Sequence, residues 1–161
     1  MVPIYGTGPV VSSIVVTVDP RRPLNHSLVR ALRRVPAFAA IDDRLLLKVV
    51  GASANLFWSA GSVIFDAGSP SEALYVVLAG RVRIRNETGE SDVAEIATGE
   101  YFGEISLLRN SRHTRSAHAL EDCEVLVLPK RSFEALMESN ADLADEIRSK
   151  GADRVGERQL S

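Results

Sequence analysis

An α+β fold, a β-roll or double-stranded jelly roll flanked by N-terminal and C-terminal helices, is what this 161-residue sequence predicts. Three observations carry the prediction. Apolar residues recur at helical spacing ahead of Asn55 and again after Pro129, and alternate with polar ones between them. Glycines at 61, 68, 80, 89, 99 and 103 cut that middle stretch into short β-rich runs. Short strands joined by glycine turns point to a sandwich or roll, not to a βαβ sheet. The composition, 45% hydrophobic and 25% charged, suits one ordinary globular domain. At this length roughly two-thirds or more of the unfolded surface can be buried, so no metal or disulfide staple is required.

The first stretch stands apart from the rest. Val10 to Val18 is β-branched and reads as a strand bracketed by Pro9 and Pro20, either an edge strand or a disordered lead-in, or else the tail of an upstream domain. Asp19-Pro20-Arg21-Arg22-Pro23 then marks a linker. The chain accordingly divides into a lead-in, residues 1–24, and a domain, residues 25–161. Leu24 to Arg34 reads as a helix with Leu28, Leu32 and Val35 on one face, Asn25 or Ser27 as N-cap and Pro36 as its stop. Asp42 is positioned to cap a second helix, whose stripe is Leu45, Leu46, Val49 and Val50.

The β-rich runs are Val63–Phe65, Leu74–Leu78, Val82–Arg85, Val93–Ile96 and Glu124–Leu128. In Arg81-Val82-Arg83-Ile84-Arg85 the alternation is strict, with arginines outward and Val/Ile inward. Glu104 to Leu108 interrupts the pattern as a short helical turn. Beyond Pro129, Ser132 is placed to cap a helix carrying Phe133, Leu136 and Met137. Asn140 is placed to cap another, with Leu143, Ala144 and Ile147 on one face. Gly151 and Gly156 weaken that last helix, so its end is expected to fray.

Several function classes drop out early. A formal net charge of −2, from 19 basic against 21 acidic residues, argues against a general nucleic-acid coat. Cys123 is the only cysteine, which rules out an internal disulfide and a thiolate zinc site. No apolar run approaches the roughly 18–20 residues that cross a bilayer, and no basic-then-apolar leader opens the sequence. The expected setting is cytoplasmic. No Ser-His-Asp order, Walker loop or acid–base carboxylate pair stands in a credible context, so the chain is not expected to be an enzyme.

Residues 99–119 carry the chemistry. Gly103 leads into a short helix, and the backbone N–H groups at such an entry suit an anion. Glu104 sits in the first turn, where a carboxylate suits the dipole and accepts hydroxyl hydrogen bonds. Three arginines and a histidine follow between Arg109 and Arg115, at the entry to the next strand. An anion cradle beside a hydroxyl acceptor is what a sugar phosphate requires. Plainer readings stand alongside. Glu104 fits an ordinary first-turn carboxylate, and Arg109, Arg112 and Arg115 fit a solvated charge run. His118 reads as a surface strand residue, Cys123 as a small buried hydrophobe and Trp58 as packing. His113 and His118 lack metal-ligand spacing, so no metal is expected.

Phe102-Gly103-Glu104-Ile105-Ser106-Leu107-Leu108 resembles the phosphate-binding cassette of the cyclic nucleotide-binding domain family, and Arg112 to Ala119 aligns without a gap to its second half. Val35 to Phe38, Gly61 to Gly68, Leu74 to Val82 and Cys123 to Pro129 extend the likeness over about residues 30–150. The resemblance implies that Glu104 binds a ribose hydroxyl. It implies that Phe102, Gly103, Ile105 and Ser106 frame the cyclic phosphate, with backbone amides of the last three facing it. Thr114 then offers a hydroxyl near phosphate or base, and the last helix, roughly Leu143–Val155, closes over the base.

One position departs from the family. Its phosphate-binding arginine is expected at residue 113, which is histidine here. Arg112 precedes it, and Arg115 occupies a position that is usually small. A guanidinium offers a fixed two-pronged fork and keeps its charge; an imidazole with an ordinary pKa of about 6.5 does neither. Losing a charge-assisted bond costs roughly 1.5–3 kcal/mol, or about 10- to 150-fold in affinity. Three outcomes follow: pH-dependent binding through His113, replacement by Arg112 or Arg115, or loss of nucleotide binding.

The expected function is therefore a regulatory module without a cofactor. It binds cyclic AMP or cyclic GMP and relays occupancy through its C-terminal helices to an effector in the same or another chain, a channel being one such carrier. The expected partners include no nucleic acid and no membrane surface, and homo-oligomerisation is compatible with the reading. The alternative is a degenerate fold that binds no nucleotide and serves as a protein-interaction or dimerisation module.

Overall fold

The computed structural model describes residues 13–15, 24–86, 88 and 91–160. Among these, nine strands and five α-helices follow one another in the predicted helix, roll, helix order. Strand β1 (Ser13–Val15) precedes α1 (Leu24–Arg33), a 3-10 turn at Pro36–Phe38 and α2 (Asp43–Ala52). The roll comprises β2 (Ala54–Trp58), β3 (Val63–Phe65), β4 (Ala73–Ala79), β5 (Val82–Arg85), β6 (Asp92–Ile96) and β7 (Tyr101–Phe102). After the short α3 (Glu104–Arg109) it closes with β8 (Ser116–Ala119) and β9 (Cys123–Pro129). Helices α4 (Lys130–Ser139) and α5 (Ala141–Leu160) end the chain.

The strands form two antiparallel sheets, ordered β1-β2-β9-β4-β7 and β3-β8-β5-β6. Each face of the first sheet has its own core. Leu74 and Val76 of β4, with Leu126 and Leu128 of β9, pack under Leu32, Phe38, Leu46, Phe133 and Ile147 of the helical layer. Val77 and Val125 face the roll interior, where they meet Val82, Ile84, Phe102 and Ala117. Burial on both faces explains the nearly unbroken apolar runs of β4 and β9, whereas β5 alternates because only one face is covered. The outward Arg81, Arg83 and Arg85 pair with Glu95, Glu121 and Asp92.

Asp42 caps α2 by accepting from the Leu45 amide at 2.8 Å, and Asn140 caps α5 through the Leu143 amide at 3.0 Å. Other expectations need correction. Asn25 and Ser27 lie inside α1. Helix α4 starts at Lys130 directly behind Pro129, so Ser132 sits within its first turn and caps nothing. Helix α5 runs through Gly151 and Gly156 to Leu160; the fraying expected of this helix in isolation is offset in the fold by packing of Leu143, Ala144 and Ile147. Of the expected Val10–Val18 strand, Ser13–Val15 pairs with β2 at the sheet edge, and the remainder lies outside the described residues. Among the described residues no helix is long and apolar enough to cross a membrane.

Candidate functional site

One cleft gathers the two sequence segments that carry the chemistry. Phe102 to Ser106 form one wall and His113 to Arg115 form the other. Phe65 from β3 and Ile84 from β5 complete it.

The first wall is set by the backbone. Gly103 has φ +90°, in the left-handed region, and a Cβ there would lie 3.0 Å from Tyr75 Cδ2 and 3.2 Å from the Ala73 carbonyl oxygen. Only glycine satisfies both constraints, and the turn it makes seats α3 against β4. Glu104 is consequently 1% exposed and Ser106 is also buried, while Ile105 and Phe102 flank them.

The second wall is the segment that bends into β8. Ala117 and Ala119 of the strand are buried in the roll, and ahead of it His113 and Arg115 line the cleft. The imidazole of His113 stacks on Phe65, with ring centroids 3.6 Å apart and planes 7° from parallel. The residue is 4% exposed, and its Nε2 is buried without a hydrogen-bond partner. Burial pushes its pKa down to about 4. Two backbone bonds clamp it to the β3–β4 loop: the His113 amide donates to the Ser69 carbonyl at 3.0 Å and its carbonyl accepts from the Gly68 amide at 2.7 Å.

The arginine cluster expected at 109–115 is divided by the fold. Arg109 is exposed in the last turn of α3. Arg112 points outward and donates from Nη1 to the Gly68 carbonyl at 3.0 Å, so this candidate site residue lies off the cleft lining. Arg115 is half-buried in the cleft, and its Nε is buried without a partner. Thr114 is exposed at the rim. The cleft lining thus holds one carboxylate, Glu104, and one guanidinium, Arg115.

Phe65 and Ile84 were not among the residues the sequence nominated. Both were within reach: Phe65 lies in the Gly61–Gly68 stretch, and Ile84 is an inward position of the Arg81–Arg85 alternation. The remaining candidates fall elsewhere. The Cys123 thiol is buried and donates to the Arg81 and Glu121 carbonyls at 3.1 Å each; burial pushes its pKa up. Trp58 is a core residue. His118 lies on the other face of β8 with Nε2 3.0 Å from Ser116 Oγ. Among the described residues no group of three or more His, Cys, Asp or Glu side chains is placed to hold a metal ion.

The model of the cyclic nucleotide-binding domain family matches residues 56–140. Lysophospholipase NTE1 of Chaetomium globosum is 35% identical over 107 residues, which is 65% of this chain and 7% of that protein. The chain therefore spans a small fraction of the curated relatives it matches. The regulatory subunit of a cAMP-independent protein kinase A from Trypanosoma brucei superposes with a TM-score of 0.73 at 22% identity, covering 80% of this chain and 46% of that one. The Catabolite Activator Protein of Thermus thermophilus gives 0.67 at 30% identity, covering 78% and 60%.

Proposed function

The chain belongs to the cyclic nucleotide-binding domain family, and we propose that it is a non-catalytic regulatory module that takes cyclic AMP or cyclic GMP into the cleft between residues 102–106 and 113–115. One observation carries this reading: two neighbouring segments, a strand-to-helix turn and a strand entry, bring a buried carboxylate and a guanidinium into the same cleft. A carboxylate accepts hydrogen bonds from ribose hydroxyls, and a guanidinium matches phosphate oxygens.

Occupancy would be relayed through contacts between α3 and α5. Gly151 of α5 lies so close to α3 that a Cβ there would sit 3.4 Å from Leu108 Cδ1 and 4.0 Å from Ile105 Cγ1. Ile105 also lines the cleft, so a ligand that shifts α3 is felt by α5. Such a shift transmits a signal only to the extent that the ligand prefers one arrangement of the helices. The likeness to lysophospholipases favours an effector in the same polypeptide, an enzyme domain outside the matched region and not a channel.

A second reading has its own support. His113, at the position where the family carries its phosphate-binding arginine, is buried and neutral at physiological pH. On that reading the fold binds no nucleotide and serves as an interaction module. Isothermal titration with cyclic AMP and cyclic GMP separates the two. Saturable heat is expected with at least one; none with either at millimolar ligand would establish the second reading in place of the first.

A further inference from the structure

We infer that Arg115, and not the residue at position 113, holds the anionic group of the ligand, with the imidazole of His113 committed to its stack on Phe65. The inference rests on the cleft being the ligand site. The two positions have exchanged roles: the site of the family's arginine carries a packed ring, and a position that is usually small carries the guanidinium.

The lining makes the exchange feasible. His113 and Arg115 both line the same cleft, two residues apart in the segment that bends into β8, so a guanidinium at 115 borders the space that one at 113 would border. The Arg115 side chain is half-buried in the cleft wall. Its Nε is buried with no protein acceptor, and in the same wall His113 Nε2 is buried in the same condition. Two residues that line one cleft thus carry polar atoms the protein leaves unsatisfied, which an acceptor-bearing ligand would complete once the wall opens to it.

Competing cations are otherwise engaged. Arg112 donates to the Gly68 carbonyl outside the cleft. Arg81 pairs with Glu95 and Glu121, and Arg83 and Arg85 both reach Asp92 at 3.3 and 3.0 Å. His113 cannot replace them as a cation near neutral pH, because burial penalises its charged form. Arg115 is the only guanidinium in the lining.

Isothermal titration of the full chain with cyclic AMP and cyclic GMP tests this, using Arg115→Gln, Arg115→Lys and Arg112→Gln. Loss of one charge-assisted contact should weaken the tighter nucleotide about 10- to 150-fold in Arg115→Gln. Arg115→Lys, which keeps the charge without the fork, should fall between that and the wild type, while Arg112→Gln should match the wild type. Circular dichroism melts identify any variant that fails to fold, and the lysine variant then decides. Wild-type affinity in both Arg115 variants, or loss of binding in Arg112→Gln, would overturn the inference while leaving the cleft as the ligand site. If neither cyclic nucleotide binds the wild type, 5′-AMP and inorganic pyrophosphate are titrated instead. Saturable binding of either that depends on Arg115 supports the inference and removes cyclic nucleotides as the ligand; silence from all four overturns both.

Discussion

The wall formed by residues 102–106 and the wall formed by residues 113–115 enclose the same cleft but are built on different principles. The first depends on backbone: a left-handed glycine pressed against Tyr75 and the Ala73 carbonyl fixes where α3 begins. The second depends on the side chains that the segment entering β8 turns toward the cleft, a ring at 113 and a guanidinium at 115. A backbone-built wall tolerates one residue type at one position. A side-chain-built wall leaves the chemistry free on the same path, and the two kinds stand a few residues apart in one site.

The largest effect that separates the walls is an acid-dependent one. Burial lowers the pKa of His113 from its ordinary value of about 6.5 to about 4. Between those values the unfolded chain binds a proton that the folded chain does not. Stability is therefore complete above pH 6.5, falls as pH drops toward 4, and loses nothing further to this group below that. The full loss amounts to about 3 kcal/mol. His113→Phe keeps a ring against Phe65 and removes the titration, so its urea-unfolding free energy should decline much less over the same range. A small decline persists through His118, whose pKa is lowered by burial first and by Arg85 and Arg83 next. An acid limb as steep in His113→Phe as in the wild type would show that the second wall is not packed around a neutral imidazole.

A somewhat smaller effect tests the first wall. Gly103→Ala places a Cβ in the left-handed region against the Tyr75 ring, and the backbone strain alone costs roughly 1–3 kcal/mol. Ligand binding should weaken with it, because Glu104 and Ser106 follow that turn directly. Urea denaturation at pH 7 measures the first change and titration the second. Unchanged stability in Gly103→Ala would mean that α3 is seated by its side chains and that the contrast between the walls is false.

The same contrast explains what could be read in advance. Helices and the stronger strands were legible because their apolar periods are unambiguous, as in α2 and β5. The Gly103 turn was legible because it demands a particular residue. Strands β2 and β7 carry no run that the sequence marks, and β8, expected only as the strand after Arg115, has no clear bounds there. Ala54-Asn55-Leu56-Phe57-Trp58 lacks β-branched residues, Tyr101-Phe102 is two residues long, and Ser116-Ala117-His118-Ala119 is made of small side chains. These strands exist because their neighbours offer edges, β8 lying between β3 and β5. In the site, the sequence sets His113 apart but leaves open whether Arg112 or Arg115 replaces the missing guanidinium. The fold separates those two: Arg112 is exposed and bonded to the Gly68 carbonyl, whereas Arg115 lines the cleft.

The smallest effect concerns the connection from the first wall to the last helix. Gly151 lies inside α5, where glycine costs roughly 0.5–1 kcal/mol relative to alanine. A methyl group there would make ordinary contact with Leu108 at 3.4 Å, and φ at this residue is not in the left-handed region. Gly151→Ala should therefore stabilise the protein by a few tenths to about 1 kcal/mol, a rise of about 1–4 °C in the melting temperature. Because Leu108 and Ile105 belong to the helix that follows Gly103, the added methyl also ties α5 more closely to the backbone-built wall. A lower melting temperature would mean that α3 and α5 need the glycine for closer approach. A gain in stability accompanied by weaker nucleotide binding would mean that α5 must move away from α3 when the cleft fills. The second wall should not register the change, so the affinity ratio between wild-type Arg115 and Arg115→Gln is expected to be the same with alanine or glycine at 151.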